Sequence, residues 1–219
     1  MEKFGVGQSV RREEDPRLLR GRGLFTNDVN LPNQTYAILL RSPYAHADIK
    51  SIDTSAAKAA PGIHGVFTGE DVAADNLGVP GMPAKWKRPD GEPMKYRPQP
   101  PLALDRVRYV GDPVALVVAD TLDQARDAAE LIEVEYEILP PVVETGGAVD
   151  SAAQVWDDCP RNLCCDWASG EVEKTDAAFA AAAHVTELDL VNNRVVVASM
   201  EARGALADYD PGDDRWTLH

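Results

Sequence analysis

The sequence predicts an α+β fold, and three features carry that prediction. Short stretches in which apolar and polar residues alternate recur along the chain, at the period of half-buried strands. Between them lie brief helical patterns announced by threonine caps. A nearly continuous valine and leucine run, residues 110–119, stands just before the best capped helix. With 219 residues, 44% of them hydrophobic, the chain can bury a core and build one or two domains.

Residues 1–19 form a charged, turn-rich N-terminal segment that leads through Gly21 and Gly23. Residues 35–41 predict a strand apolar enough to be largely buried, and Pro43 breaks it because proline has no N–H for a ladder. Residues 46–53 alternate for much of their length and predict a half-buried strand. Thr54 is placed to cap a helix over 55–60, which Pro61-Gly62 stops. Residues 63–67 predict the next strand, and Thr68 caps a helical turn over 69–72.

Prolines at 80, 83, 89, 93, 98, 100 and 101 mark residues 75–101 as an extended loop. The run at 110–119 reads as a strand covered on both faces. Thr121-Leu122-Asp123-Gln124 is a capping box, and Leu122, Ala125, Ala129 and Ile132 mark one face of the helix it starts. Residues 133–138 alternate again, so strand, helix and strand together read as an α/β unit.

A junction begins at Pro140-Pro141 and runs to about residue 168. Beyond it lie an alanine-rich helix over 176–183 and strands over 185–190 and 194–200, around Asn192-Asn193. A hairpin follows, 205–210 and 215–219, turning at Pro211-Gly212-Asp213-Asp214. Its second strand has barely begun at His219, so the sequence reads as opening a sheet that further residues would complete.

Composition narrows the function. Lys and Arg total 22 against 36 Asp and Glu, a net charge of −14. That balance repels nucleic acid and anionic membrane surfaces. The arginines at 11, 12, 17, 20 and 22 are interleaved with Glu13, Glu14 and Asp15 and read as a self-paired, solvated segment. The apolar runs are too short to cross a bilayer, and the first residues lack a signal peptide's apolar stretch, so a cytoplasmic protein is expected. Cys159, Cys164 and Cys165 are odd in number, which argues against a disulfide framework. Their spacing misses the iron–sulfur pattern Cys-x4-Cys-x2-Cys, and they read as part-buried thiols near a domain junction.

No chemistry-bearing motif is complete. Gly21-Arg22-Gly23 and Gly5-Val6-Gly7 begin a dinucleotide fingerprint, but Thr26 and Val10 stand where its third glycine belongs. His46, His64, His184 and His219 have no metal-ligand spacing, and His46 reads as a packing or hydrogen-bonding residue at a strand start. Asn33-Gln34-Thr35 is a chance glycosylation triplet, and Glu133 and Glu135 lie on the polar face of a strand. Lys85, Trp86, Lys87, Arg88, Lys95, Tyr96 and Arg97 make a basic-aromatic loop in an acidic protein. It reads equally as a solvated loop or as a grip on a partner protein.

Four stretches together resemble a known family: "VGQSVRREEDPRLLRGRGLFTNDVNLPN", "LRSPYAHADIKSIDTSAAKAAPGIHGVFTGEDV", "RYVGDPVALVVADTLDQARDAAELIEVEYEILPPV" and "LVNNRVVVASMEARGALADYDPGDDRWTLH". They are similar to the start of the large, molybdenum-cofactor-binding subunit of the xanthine oxidase family. That family includes aldehyde oxidases, xanthine dehydrogenases and aerobic carbon monoxide dehydrogenases. The resemblance implies an α/β-hammerhead domain over residues 20–140, a linker over 141–168 and the start of a molybdopterin-binding domain over 169–219.

It also implies a hydroxylase whose molybdenum–pterin centre transfers an oxygen derived from water to a carbon centre, or oxidises carbon monoxide. Electrons leave through iron–sulfur clusters to FAD on partner subunits or domains. At Met200-Glu201-Ala202 the sequence departs from the family, which commonly has proline after the glutamate. The family's pterin-contacting loops, substrate-side residues and glutamate base correspond to positions beyond His219. No catalytic, cofactor-binding or metal-binding residue is therefore expected on this chain, nor the molybdenum–pterin cofactor on the chain alone. The expected partners are the remaining C-terminal part of the large subunit and the iron–sulfur and flavin subunits, with no nucleic acid and no membrane. The alternative is a standalone protein-binding module that uses the hammerhead surface and the 75–101 loop.

Overall fold

A computed structural model describes residues 7, 11–76, 91–95, 99–167, 169–192, 195, 198–200 and 203–219. They fall into two compact units, one of residues 35–186 and one that joins residues 1–34 with 187–219. In chain order the elements are helix α1 (Asp15–Leu18), strands β1 (Tyr36–Arg41) and β2 (Ala47–Asp53), and helix α2 (Ser55–Ala59). Strand β3 (Ile63–Thr68), helix α3 (Gly69–Ala74), and strands β4 (Arg106–Val107) and β5 (Pro113–Ala119) follow. Helix α4 (Leu122–Glu130), strand β6 (Glu133–Ile138), helix α5 (Val172–Ala181), and strands β7 (Ala207–Asp210) and β8 (Arg215–Leu218) follow, with 3-10 turns at Thr26–Asp28, Ala148–Asp150 and Pro160–Asn162.

The 35–186 unit is built on two three-stranded antiparallel sheets, in the orders β1-β5-β3 and β4-β2-β6. The valine run becomes β5, the central strand of the first sheet. Ala115, Val117 and Ala119 point into a core shared with Val66, Ala57 and the α4 alanines 125, 128 and 129. Val114 joins a second cluster with Ala47, Ala103 and Val107. Partly buried Ile52 and Val134 pack against both clusters, so the two sheets share one apolar interior. Three buried alanines let α4 lie close on β1 and β5, and the strand expected to be covered on both faces is so covered.

Strand, helix and strand at 113–138 do not form the expected α/β unit. β5 already pairs with β1 on one side and β3 on the other, so β6 cannot join it. Instead α4 carries the chain to the other sheet, where β6 runs antiparallel to β2, in register from Ala47–Ile138 to Asp53–Glu133 around a bulge between Ile49 and Ser51.

Several local expectations also shift. Thr54 makes no cap bond; the N–H of Ser55 is taken by Asp53 Oδ1 at 2.8 Å, one residue earlier. Asp71 closes the start of α3 by accepting from the Thr68 N–H at 2.7 Å and the Thr68 hydroxyl at 3.1 Å. At α4, Thr121 Oγ1 accepts the Gln124 N–H at 3.2 Å, but the Gln124 side chain returns to the threonine hydroxyl. Ala128 is buried on the α4 face where Leu122, 37% exposed, was expected to contribute. α5 begins earlier than expected, at Val172, and ends at Ala181.

The strand expected over 185–190 is absent. Residues 184–192 are exposed and in no strand among the described residues, and a segment without a ladder leaves its N–H and C=O groups to water. Of the strand expected over 194–200, the described residues 195 and 198–200 are not in a strand, and the others lie outside the described residues. The terminal hairpin forms as β7 and β8, extended by two backbone bonds between Leu206 and His219. Among the described residues no helix is long and apolar enough to cross a membrane.

Candidate functional site

In the 35–186 unit, a cleft lies where β4 and the turn after it meet the junction segment. Its volume is about 520 Å³, and Tyr109, Asp112, Arg106, Arg108 and Trp156 supply its polar and aromatic lining. Arg106 Nε donates to Asp48 Oδ1 and its NH1 donates to Asp157 Oδ1 at 2.9 Å, which ties β2 to the junction. Arg108 sits over Trp156, its guanidinium carbon 3.6 Å from the ring centroid. Its Nε donates to the Val155 carbonyl at 3.3 Å and its NH1 to the Arg106 carbonyl at 3.1 Å.

The electrostatics follow from that packing. The hydrogen bond from Arg106 holds the Asp48 carboxyl below its ordinary range against a smaller opposing effect of burial. Burial pushes the Asp112 carboxyl up, partly offset by the Arg108 N–H that it accepts at 3.0 Å. Burial, and then the nearby Asp112 charge, push the Tyr109 phenol up as well. Perturbed groups in a cleft can mark reactive sites. Here Arg106, Arg108 and Asp112 are all engaged with other parts of the chain, so the arrangement fastens segments together and presents no nucleophile–base pair.

A second hollow of about 410 Å³ lies nearby and is bordered by His46, Arg106, Pro140 and Asp157. His46 is 5% exposed, and its Nδ1 lies 2.9 Å from the Pro140 carbonyl. A carbonyl can only accept, so Nδ1 carries the proton there. Nε2 is buried with no hydrogen-bond partner among the described residues. The reading of His46 as a hydrogen-bonding residue at a strand start fits this geometry.

The other residues singled out in the sequence stay apart. His64 Nε2 meets Asp120 Oδ1 at 2.6 Å, His184 Nε2 meets Thr186 Oγ1 at 3.2 Å, and His219 pairs through its backbone with Leu206. Glu133 and Glu135 are exposed, and Glu135 accepts from Ser51 at 3.3 Å. Gly21, with φ of 67°, serves a turn, and Arg12 pairs with Glu14 at 3.8 Å. Of the basic-aromatic loop only Lys95 is described; Lys85, Trp86, Lys87, Arg88, Tyr96 and Arg97 lie outside the described residues, as do Glu201 and Ala202.

The sequence reading missed the Arg106–Arg108–Asp112 cluster. Its only local signal was two arginines at strand spacing ahead of Gly111-Asp112. The partners Asp48, Val155, Trp156 and Asp157 come from distant parts of the chain and leave no mark on that pattern.

Among the described residues, no three His, Cys, Asp or Glu gather as a directly bound metal ion would need. Gly170 faces open space, Gly204 lies against Thr26 and Asn27, and Gly212 sits beside Asp210 in the hairpin turn, so these glycines share no pocket.

Comparison with known proteins agrees with the resemblance. The aldehyde oxidase and xanthine dehydrogenase a/b hammerhead domain matches residues 20–140, and the molybdopterin cofactor-binding domain matches residues 155–219. The nicotine 6-hydroxylase large subunit of Paenarthrobacter nicotinovorans is 40% identical over 215 residues, which cover 97% of this chain and 25% of that one. The carbon monoxide dehydrogenase large chain of Afipia carboxidovorans is 34% identical, over 98% of this chain and 27% of its own length. The crystal structure of quinoline 2-oxidoreductase from Pseudomonas putida 86 matches with a TM-score of 0.77 at 37% identity, over 99% of this chain and 27% of that one. The chain thus spans about a quarter of the length of these relatives and corresponds to the N-terminal portion of the large subunits. With more than half its residues matched by the hammerhead domain, the chain belongs to the aldehyde oxidase and xanthine dehydrogenase family.

Proposed function

We propose that this chain supplies the hammerhead domain and the opening of the molybdopterin-binding domain to a molybdenum hydroxylase, and that it catalyses nothing alone. The enzyme it serves is an oxidoreductase that acts on aldehydes, N-heterocycles or carbon monoxide with water as the oxygen source. The observation that carries this reading is the order of the two matches, 20–140 and then 155–219, along one chain. The division proposed with it is an N-terminal segment over 1–19, the hammerhead over 20–140, a linker over 141–168 and the opening of the cofactor domain over 169–219, although the cofactor-domain match begins at 155.

In this reading the chain contributes packing, with no catalytic, cofactor-binding or metal-binding residue of its own. The rest of the large subunit holds the molybdenum–pterin cofactor, and partner subunits or domains hold the iron–sulfur clusters and FAD. The setting is cytoplasmic, without a nucleic-acid or membrane partner, in keeping with a net charge of −14.

Metal analysis and a dye-reduction assay with aldehydes, N-heterocycles and carbon monoxide test the reading. The purified chain should carry no stoichiometric molybdenum and reduce no dye. Joined with the remainder of a large subunit and with its iron–sulfur and flavin partners, it should support turnover. Stoichiometric molybdenum and turnover on the chain alone would overturn the assignment.

A further inference from the structure

The junction segment brings two thiols together where the proposed enzyme chemistry does not use them. Cys159 and Cys164 have their Sγ atoms 3.8 Å apart. Cys159 is 1% exposed, Cys164 is exposed, and Cys165 beside it is half-buried. The backbone builds this approach. Pro160 opens a tight 3-10 turn, and Arg161 and Asn162 follow with φ of 60° and 53°, the left-handed region that folds a chain back on itself.

Asn162 holds the turn. Its Nδ2 donates to the carbonyls of Ala148 and Ala153, each at 2.9 Å, and its Oδ1 accepts the Val155 N–H at 2.9 Å. Lys95 clasps the other side, its N–H on the Cys164 carbonyl at 3.0 Å and its Nζ on the Asp158 carbonyl. These backbone and side-chain bonds help fix the turn that carries the two thiols, and a disulfide would bring their sulfurs from 3.8 Å to about 2.05 Å.

We propose that Cys159 and Cys164 form a reversible disulfide by exchange with a low-molecular-weight disulfide, and that this bond locks the junction turn closed. The exposed Cys164 thiolate attacks oxidised glutathione; a mixed disulfide forms at Cys164 and one glutathione thiolate leaves. The Cys159 thiolate then attacks Cys164 Sγ; the Cys159–Cys164 bond forms, the bond to glutathione breaks, and the second glutathione thiolate leaves. The two protein thiols lose two electrons, the small disulfide gains them, and the two thiol protons end on the two glutathiones. Cys165 is the poorer partner for Cys164, because neighbouring cysteines can join only through a strained ring across their shared peptide. In a reducing compartment such a pair cycles with the glutathione pool.

The test is incubation of the full chain with oxidised glutathione, alkylation of the remaining thiols, and peptide mapping without reduction. The expected product is lighter by two hydrogen atoms, carries a Cys159–Cys164 link, alkylates only at Cys165, and returns to the starting chain with dithiothreitol. Cys165→Ser should give the same link, and Cys159→Ser should stop at a lasting glutathione adduct on Cys164. A Cys164–Cys165 link in the unaltered chain, a lasting adduct on its Cys164, or no loss of thiols would overturn the proposal. The map of the unaltered chain decides the matter even where Cys159→Ser does not fold.

Discussion

Arg106 joins three parts of the chain through one side chain. Its fork reaches Asp48 on β2 and Asp157 in the junction, and its own carbonyl accepts from Arg108. Arg106 is 17% exposed and Asp48 26%, so this pair is shielded from water more than a surface ion pair, while Asp157 is exposed at 81%. Arg106→Ala should destabilise the protein by about 2 kcal/mol near neutral pH, measured by urea unfolding. Arg106→Lys should recover only part of that, since an ammonium lacks the planar fork that serves two carboxylates. The pH dependence has a definite sign. Asp48 has a native value below its ordinary 3.8, chiefly through its hydrogen bond from Arg106. Its contribution is present above that ordinary value and is lost as pH falls through the lowered native one. The cost of Arg106→Ala should therefore shrink on acidification; a cost unchanged across the acid limb would contradict the pairing.

At the level of elements, the approach of α3 to the chain entering β4 depends on the missing side chain of Gly69. A Cβ there would lie 2.3 Å from the Ala103 carbonyl oxygen and 2.7 Å from the Leu104 Cα. Both obstacles are backbone, so neither can turn aside. Glycine to alanine at a helix position ordinarily stabilises by about 0.4–1 kcal/mol. Gly69→Ala should instead destabilise by about 2 kcal/mol or more through overpacking. A midpoint equal to or above that of the unaltered chain in thermal unfolding would show that α3 does not pack this way. Strand-pairing at this scale rests on neighbours too. β5 has a partner on each side, whereas the exposed β7–β8 hairpin has one pairing, supported by Tyr209 and Trp216 with ring centroids 4.6 Å apart.

For the whole molecule, the two compact units differ in how they are held. The 35–186 unit contains both apolar clusters, while residues 184–192 are exposed and in no strand among the described residues. A broad-specificity protease should therefore cut first within 184–192, ahead of 113–138, because cleavage needs a backbone that can leave its hydrogen bonds. Mass spectrometry of early fragments checks this. First cuts inside β5, α4 or β6 would mean that the shared apolar interior is not the stable part of the protein.

Local chemistry was enough for most of the 35–186 unit. Alternation placed β2 and β6, apolar runs placed β1 and β5, and threonine caps placed α3 and α4. The four quoted stretches were enough for the family, since the order of residues carries ancestry. Tertiary structure alone decided the rest. Which strand β6 joins depended on both edges of β5 being taken, and that is a property of the sheet. The strand expected at 185–190 failed because alternation describes a face and cannot supply a partner. The Arg106–Asp48–Asp157 and Arg108–Trp156 contacts, and the contact of Cys159 with Cys164 through a left-handed turn, arise from chain segments brought together by burial. Periodicity reads neighbours along the chain, and these interactions are between neighbours in space.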